Sequence, residues 1–277
     1  MNKDFRLKTK EGDFLNISAF GFESIKSSPC LILVHGFKGF KDWGFFPYTA
    51  KHFADKGYFV LSFNFSHNGV DDQCIDFNNL DKFAKNTVSL EVSELVQVIN
   101  AYHNGFFNEN VFGKVGFIGH SRGGGVALLS SLINKVDVYV VWSSVAKFDR
   151  YTEHQKKEWR KTGYFEALNS RTNQMMRMNL DLLEDIEQNK NGSLSIKNAV
   201  KDLDKPLLIV HGEQDLTVPV KEGEQIFNWS DKAISNFEII PAAGHTFDIV
   251  HPFAGSNKKF DIVLSKTEDY LNIILNF

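Results

Sequence analysis

Three side chains able to pass a proton along a line stand in this chain just beyond short apolar runs. Ser121 lies in Gly119-His120-Ser121-Arg122-Gly123, a G-x-S-x-G pattern that follows one such run and opens a helix-like stretch. A serine hydroxyl is a poor nucleophile until a base takes its proton, so a histidine and an acid are needed from elsewhere in the chain. Downstream, Asp215 follows "PLLIVHG" within "VHGEQDLTVPV", and His245 follows "FEIIP" within "IIPAAGHTFDIV". With His245 as base and Asp215 holding the imidazole, Ser121 could attack a carbonyl carbon, pass through a tetrahedral oxyanion and form an acyl-enzyme that water then hydrolyses. Asp149 is the reserve candidate for the acid.

Residues so far apart in sequence meet only if the chain between them brings each turn to one place. The apolar runs are 30–36, 58–65, 114–120, 136–144, 206–212 and 237–241. Runs apolar throughout are strands buried on both faces, as in a parallel sheet. Helix-like stretches separate them at 47–56, 81–103, 122–134, 219–229 and 259–275. Residues 5–22 alternate around "KEGD" and predict a β-hairpin. The alternation implies an α/β fold: a mostly parallel, twisted central sheet with helices on both faces and right-handed crossovers. Ligands bind such sheets at the carboxyl ends of the strands, where Ser121, Asp215 and His245 all fall. The chain, 1–277, reads as a single domain. Between 146 and 204 it is longer than one crossover requires, and "EHQKKEWRKTGYFEAL" and "QMMRMNLDLLEDIEQN" both read as helices. A small helical cap insertion is expected there.

The glycines explain why a serine can occupy the turn. A sharp strand-to-helix reversal holds the serine in a strained conformation, and side chains at 119 and 123 would collide with the chain passing beside them. The helix start also points free N–H groups at the site.

Composition excludes several other classes. Lys plus Arg total 31 and Asp plus Glu 34, a net charge of -3, so no electrostatic footprint for nucleic acid exists. No run of about 18 apolar residues predicts a membrane span, and no apolar leader follows the N-terminus. With only Cys30 and Cys74, a reducing, cytoplasmic setting fits better than a disulfide framework. HExxH and close Cys/His pairs are absent, so neither a metal nor any other cofactor is expected.

The segments "HGFKG", "GHSRGG", "PLLIVHGEQDLTVP" and "GHTF", spread over roughly residues 30 to 250, resemble the signature segments of the α/β-hydrolase fold superfamily. The nearer likeness is to prokaryotic dienelactone-hydrolase-like and cinnamoyl (feruloyl) esterase-like proteins; acyl-peptidases of the prolyl oligopeptidase type resemble it less. The resemblance implies Ser121 as nucleophile, Asp215 as acid and His245 as base. The oxyanion would be received by the backbone N–H of Arg122, next after the nucleophile, and, by family likeness, that of Phe37.

Phe37, Phe40, Trp43 and His120 are the candidate substrate contacts, and Trp159, Tyr164, Phe165, Met175, Met176 and Met178 add bulk from the insertion. The side chain of Arg122 is expected to pair with the loop after 64 or with the insertion rather than with a substrate carboxylate. His35 and His211 are expected to hydrogen-bond loop backbone. The expected activity is hydrolysis of small-molecule carboxylic esters with small or aromatic acyl groups. A peptidase or thioesterase would use the same machinery, an aminopeptidase also needing an acidic clamp such as Glu153, Glu158 or Glu166. Ser121 in place of an aspartate disfavours a haloalkane dehalogenase, and a non-catalytic binding protein of the same fold is the alternative outside enzymes. A homodimer is compatible with the sequence.

Overall fold

The apolar runs become strands in the computed structural model, which describes residues 2–71, 77–133, 135–169 and 172–275. The N-terminal hairpin is β1 (Lys3–Lys8) and β2 (Phe14–Phe20), antiparallel from Lys3 opposite Ala19 to Lys8 opposite Phe14. There follow β3 (Cys30–Val34), β4 (Phe59–Phe63), β5 (Val115–His120) and β6 (Val138–Trp142). A separate hairpin, β7 (Tyr164–Asn169) and β8 (Gln174–Asn179), precedes β9 (Leu207–Gly212) and β10 (Ser235–Ile240). Eight strands form one sheet in the order β1-β2-β4-β3-β5-β6-β9-β10, antiparallel at its first two junctions and parallel from β4 onward. Every residue of β3, β4, β5, β6 and β9 is buried, which is why their sequences lack alternation.

The helices are α1 (Phe46–Asp55), α2 (Leu80–Ala84), α3 (Val88–His103), α4 (Arg122–Leu129), α5 (Glu153–Thr162), α6 (Leu180–Asn189), α7 (Ile196–Lys201), α8 (Val220–Trp229) and α9 (Lys258–Leu275). The stretch expected as one helix from 81 to 103 is broken in two. Thr87 is extended and its side chain accepts the N–H of Leu90, so a fresh N-cap starts α3. α1 and α9 are tied by Glu268, which meets both His52 and Lys56. α3, α4, α7 and α8 pack in succession elsewhere on the sheet.

The insertion is not purely helical. α5 begins in a capping box of Thr152 and Gln155 and ends at Gly163 in the left-handed region. The chain then forms the β7–β8 hairpin, with Leu168 opposite Met175 and Phe165 opposite Met178. Met176 and Met178 are buried while Met175 and Arg177 are exposed, a period of two. The spacing of Met175, Met178 and Leu182 mimics a helical stripe only because a strand runs straight into α6. The polar segment 169–174 closes the hairpin, Ser170 and Arg171 lying outside the described residues.

Trp159 is fully buried beneath this hairpin, stacked on Phe165 at 5.3 Å and edge-on to Tyr151 at 5.0 Å. Trp159→Ala is therefore expected to lower stability by about 3–5 kcal/mol, read from the midpoint of urea unfolding.

Candidate active site

Ser121 leaves the end of β5 with φ 57° and ψ −123°, a conformation costly for a residue with a Cβ. The turn is fixed on both sides: Ser121 N–H donates to the carbonyl of Trp142, and its own carbonyl accepts from Gly124 and Val145. A Cβ on Gly119 would lie 2.7 Å from the carbonyl oxygen of Gly123, and one on Gly123 would lie 2.4 Å from those of Val34 and His35. Only glycine permits α4 to start so close to β3.

The other two residues reach this turn from the same end of the sheet. Asp215 follows β9 and His245 follows β10. His245 Nδ1 lies 2.7 Å from Asp215 Oδ2, and its Nε2 lies 3.0 Å from Ser121 Oγ. Donation of Nδ1–H to the carboxylate leaves the Nε2 lone pair free to accept the serine hydroxyl. Asp215 Oδ1 accepts the backbone N–H groups of Thr217 and Val218 at 2.9 and 2.8 Å, which aims Oδ2 at the imidazole. Burial alone would raise the Asp215 pKa; the His211 ring beside it and the hydrogen bonds from His245 and Val218 outweigh it and hold the carboxyl below the usual range.

Three further histidines brace the loops around this line. His120 donates from Nε2 to the carbonyl of His245 at 2.9 Å, and burial lowers its pKa to about 3, so the ring is neutral. His35 Nδ1 is 3.0 Å from the carbonyl of Gly36, and its Nε2 accepts from the N–H of Phe65; burial lowers it to about 4. His211 donates to the carbonyl of Val218 at 2.8 Å. Among the described residues no cluster of His, Cys, Asp or Glu is arranged to hold a metal ion.

Two cavities open at Ser121. The larger, about 660 Å³, is lined by Phe37, Trp43, His120, Leu168, Ile249 and His251 among others. The smaller, about 210 Å³, is lined by Phe37, Arg122, Lys147, Phe148, Arg150 and Tyr151 among others. Thus Phe37 touches both cavities, and Trp43 and His120 the larger one. Phe40 does not: it is 2 % exposed and packs edge-on against Phe77 and His251, beneath the cavity wall. Phe40 serves the core, while Phe37 and Trp43 on either side of it in the loop after β3 reach the cavity.

Several wall residues gave no sequence signal. Leu168 and Asn169 arrive from the β7–β8 hairpin, and Lys38 Nζ donates to the Leu168 carbonyl at 2.8 Å, joining the loop after β3 to that hairpin. The alternation within 174–179 was the available clue. The candidate ammonium clamp is not assembled: Glu153 pairs with Lys156, Glu158 lies near Lys161, and Glu166 pairs with Arg177, none lining either cavity. Asp149 is held by Lys156 and Lys190 at 2.7 and 2.9 Å. Phe65, Ser66, Asn68, Val70 and Asp71 border a separate polar hollow with Asp13 and Lys82; Asp72 and Cys74 lie outside the described residues.

Arg122 finds its ion-pair partner neither in the loop after 64 nor in the insertion. Its Nε donates to Glu91 on α3 at 2.7 Å, and Asn86 donates to the other oxygen of that carboxylate. One turn further along α3, Glu94 accepts from the backbone and hydroxyl of Ser66, yet burial pushes its pKa up to about 7. The folded chain therefore keeps a proton that the unfolded chain loses above about pH 4.5, so stability falls as pH rises from about 4.5 to about 7. Glu94→Gln is expected to remove that slope, gaining of order 2 kcal/mol at pH 8 relative to pH 5 in chemical denaturation.

No curated protein matches the chain in sequence. Solved structures match it over nearly its whole length at low identity. The α/β hydrolase GrgF from Penicillium sp. sh18 superposes with a TM-score of 0.76 at 16% identity, covering 100% of both chains. Est1E from Butyrivibrio proteoclasticus, in a structure with ferulic acid bound, gives 0.75 at 15% identity, covering 99% of this chain and 100% of that one. The mouse α/β hydrolase domain-containing protein 10 gives 0.73 at 16%, covering 98% of each. These likenesses establish the α/β-hydrolase fold. Residues 43–265 match the prolyl oligopeptidase family, a span that includes Ser121, Asp215 and His245. The chain therefore belongs to the prolyl oligopeptidase family of α/β hydrolases.

Proposed function

We propose that the protein is a serine esterase that cleaves carboxylic esters of small or aromatic acids through an acyl-enzyme. The observation that carries this reading is the continuous hydrogen-bonded line Asp215–His245–Ser121 opening between two cavities. His245 takes the hydroxyl proton as Ser121 attacks, and Asp215 stabilises the imidazolium. The same imidazole returns the proton to the leaving alcohol, and a water repeats the cycle on the acyl-enzyme. The backbone N–H groups of Phe37 and Arg122 receive the oxyanion, each worth about 3 kcal/mol in the transition state. Gly36 supports this placement: a Cβ there would lie 3.0 Å from Ser121 Cβ, so the loop after β3 lies against the turn.

An aromatic acyl group suits walls that carry Phe37, Trp43, Phe46 and Phe148, and Est1E, of like fold, has been seen with ferulic acid. Membership of the prolyl oligopeptidase family favours a second reading, cleavage of a peptide bond. The absence of any Asp or Glu lining the cavities, among the described residues, weighs against a substrate with a free ammonium end. Steady-state kinetics on 4-nitrophenyl esters, methyl ferulate and aminoacyl anilides test both. Esters turned over at least about a hundredfold faster than anilides support the esterase; the reverse order replaces it with the peptidase.

A further inference from the structure

We propose that the smaller cavity is a carboxylate subsite, so that the preferred ester carries a carboxylate at the far end of one of its two limbs. This rests on the esterase reading for the reaction, but the subsite is argued from the cavity itself.

Its wall holds three cations, Arg122, Lys147 and Arg150, and no Asp or Glu among the described residues. The three are unequal. Arg150 is bound to Glu222 and to the carbonyl of Thr217, so it contributes positive field with its donors occupied. Lys147 is exposed and enters no ion pair among the described residues, leaving its charge available to a ligand. Arg122 is 8 % exposed. Its Nε is taken by Glu91, whose charge is shared with Asn86, and its Nη2 is buried with no hydrogen-bond partner among the described residues.

A guanidinium donor withdrawn from water and left unfilled is costly, and a charged donor more than a neutral one. Nη2 itself is closed to water, so what Arg122 offers the cavity it lines is the charge of its guanidinium, and a wall of that sign is most simply met by an anion. A carboxylate matches the guanidinium and ammonium groups of that wall in charge and is small enough to enter about 210 Å³. Phe37, Val145, Phe148 and Val218 line the same cavity as Ser121 and Arg122, and its volume of about 210 Å³ admits a few methylenes or one aromatic ring. A neutral limb would fill that space and leave the charge of Lys147 unanswered, and an ammonium would be repelled. The chemical class is therefore a half-ester of a dicarboxylic acid, or an ester of a carboxylated alcohol or phenol.

The two sources of the carboxylate are separated by two pairs of probes, titrated by calorimetry into Ser121→Ala protein. Monomethyl glutarate against methyl valerate reads the acyl limb; 4-acetoxybenzoate against phenyl acetate reads the alcohol limb. In at least one pair the anion is expected to bind about tenfold more tightly than its neutral counterpart. That preference should fall to within about twofold in Lys147→Glu, a change at an exposed position that spares the fold. It should fall likewise in Arg122→Met with Glu91→Met, which removes both buried charges together. Equal binding of anion and neutral partner in both pairs overturns the subsite, as does a preference that survives both variants. Fluorophosphonate labelling of the wild-type protein reports separately on the esterase: labelling without anion preference sinks the subsite alone, and preference without labelling sinks the esterase alone.

Discussion

Ser121→Ala is expected to abolish covalent capture by a fluorophosphonate and to lower ester turnover about 10⁶-fold, the scale on which loss of the nucleophile removes the whole concerted unit. The residue stands on a backbone whose φ is 57°, held by hydrogen bonds to Trp142, Gly124 and Val145 that do not involve its side chain. Alanine therefore keeps the turn and loses only the hydroxyl that His245 Nε2 meets at 3.0 Å. An unchanged thermal unfolding curve, beside lost mass addition in intact-protein spectrometry, is the outcome that identifies Ser121. Labelling that persists in the variant would assign the chemistry to another side chain.

Asp215→Asn should reduce kcat/KM about 10⁴-fold with little change in fold. An asparagine oxygen can still accept from Thr217 and Val218, as Asp215 Oδ1 does at 2.9 and 2.8 Å. Its amide nitrogen then faces His245 Nδ1 in place of Oδ2. Two donors cannot share that contact, so the imidazole must shift its proton to Nε2, where it can no longer accept from the serine. Asp149 cannot substitute, because two lysines on the insertion hold it. A variant that retains full turnover would mean that the carboxylate orients nothing.

The strands were legible because burial on both faces writes itself as unbroken apolar runs, and all six parallel strands fall within a few residues of those runs. The hydrogen-bonded line of Ser121, His245 and Asp215 was legible for a related reason: each follows such a run closely, and only one end of a parallel sheet collects those turns. The β7–β8 hairpin was hidden because its methionines alternate over only six residues before α6 resumes a helical spacing. Glu91 was hidden as the partner of Arg122 because an ion pair between two helices follows no period along the chain. Phe40 misled because an aromatic residue beside a site and one beneath it read alike until the loop's path is known.

The placement of His245 after β10 has a consequence for biosynthesis. β10 is the terminal strand of the sheet and pairs with β9 alone, while the putting-together of β3, β5 and β6 needs only sequence that leaves the ribosome earlier. On the proposed chemistry, a half-made chain shows its nucleophile as an ordinary alcohol. On that chemistry, esterase potency arises only once β10 has docked on β9 and the loop after it delivers the imidazole.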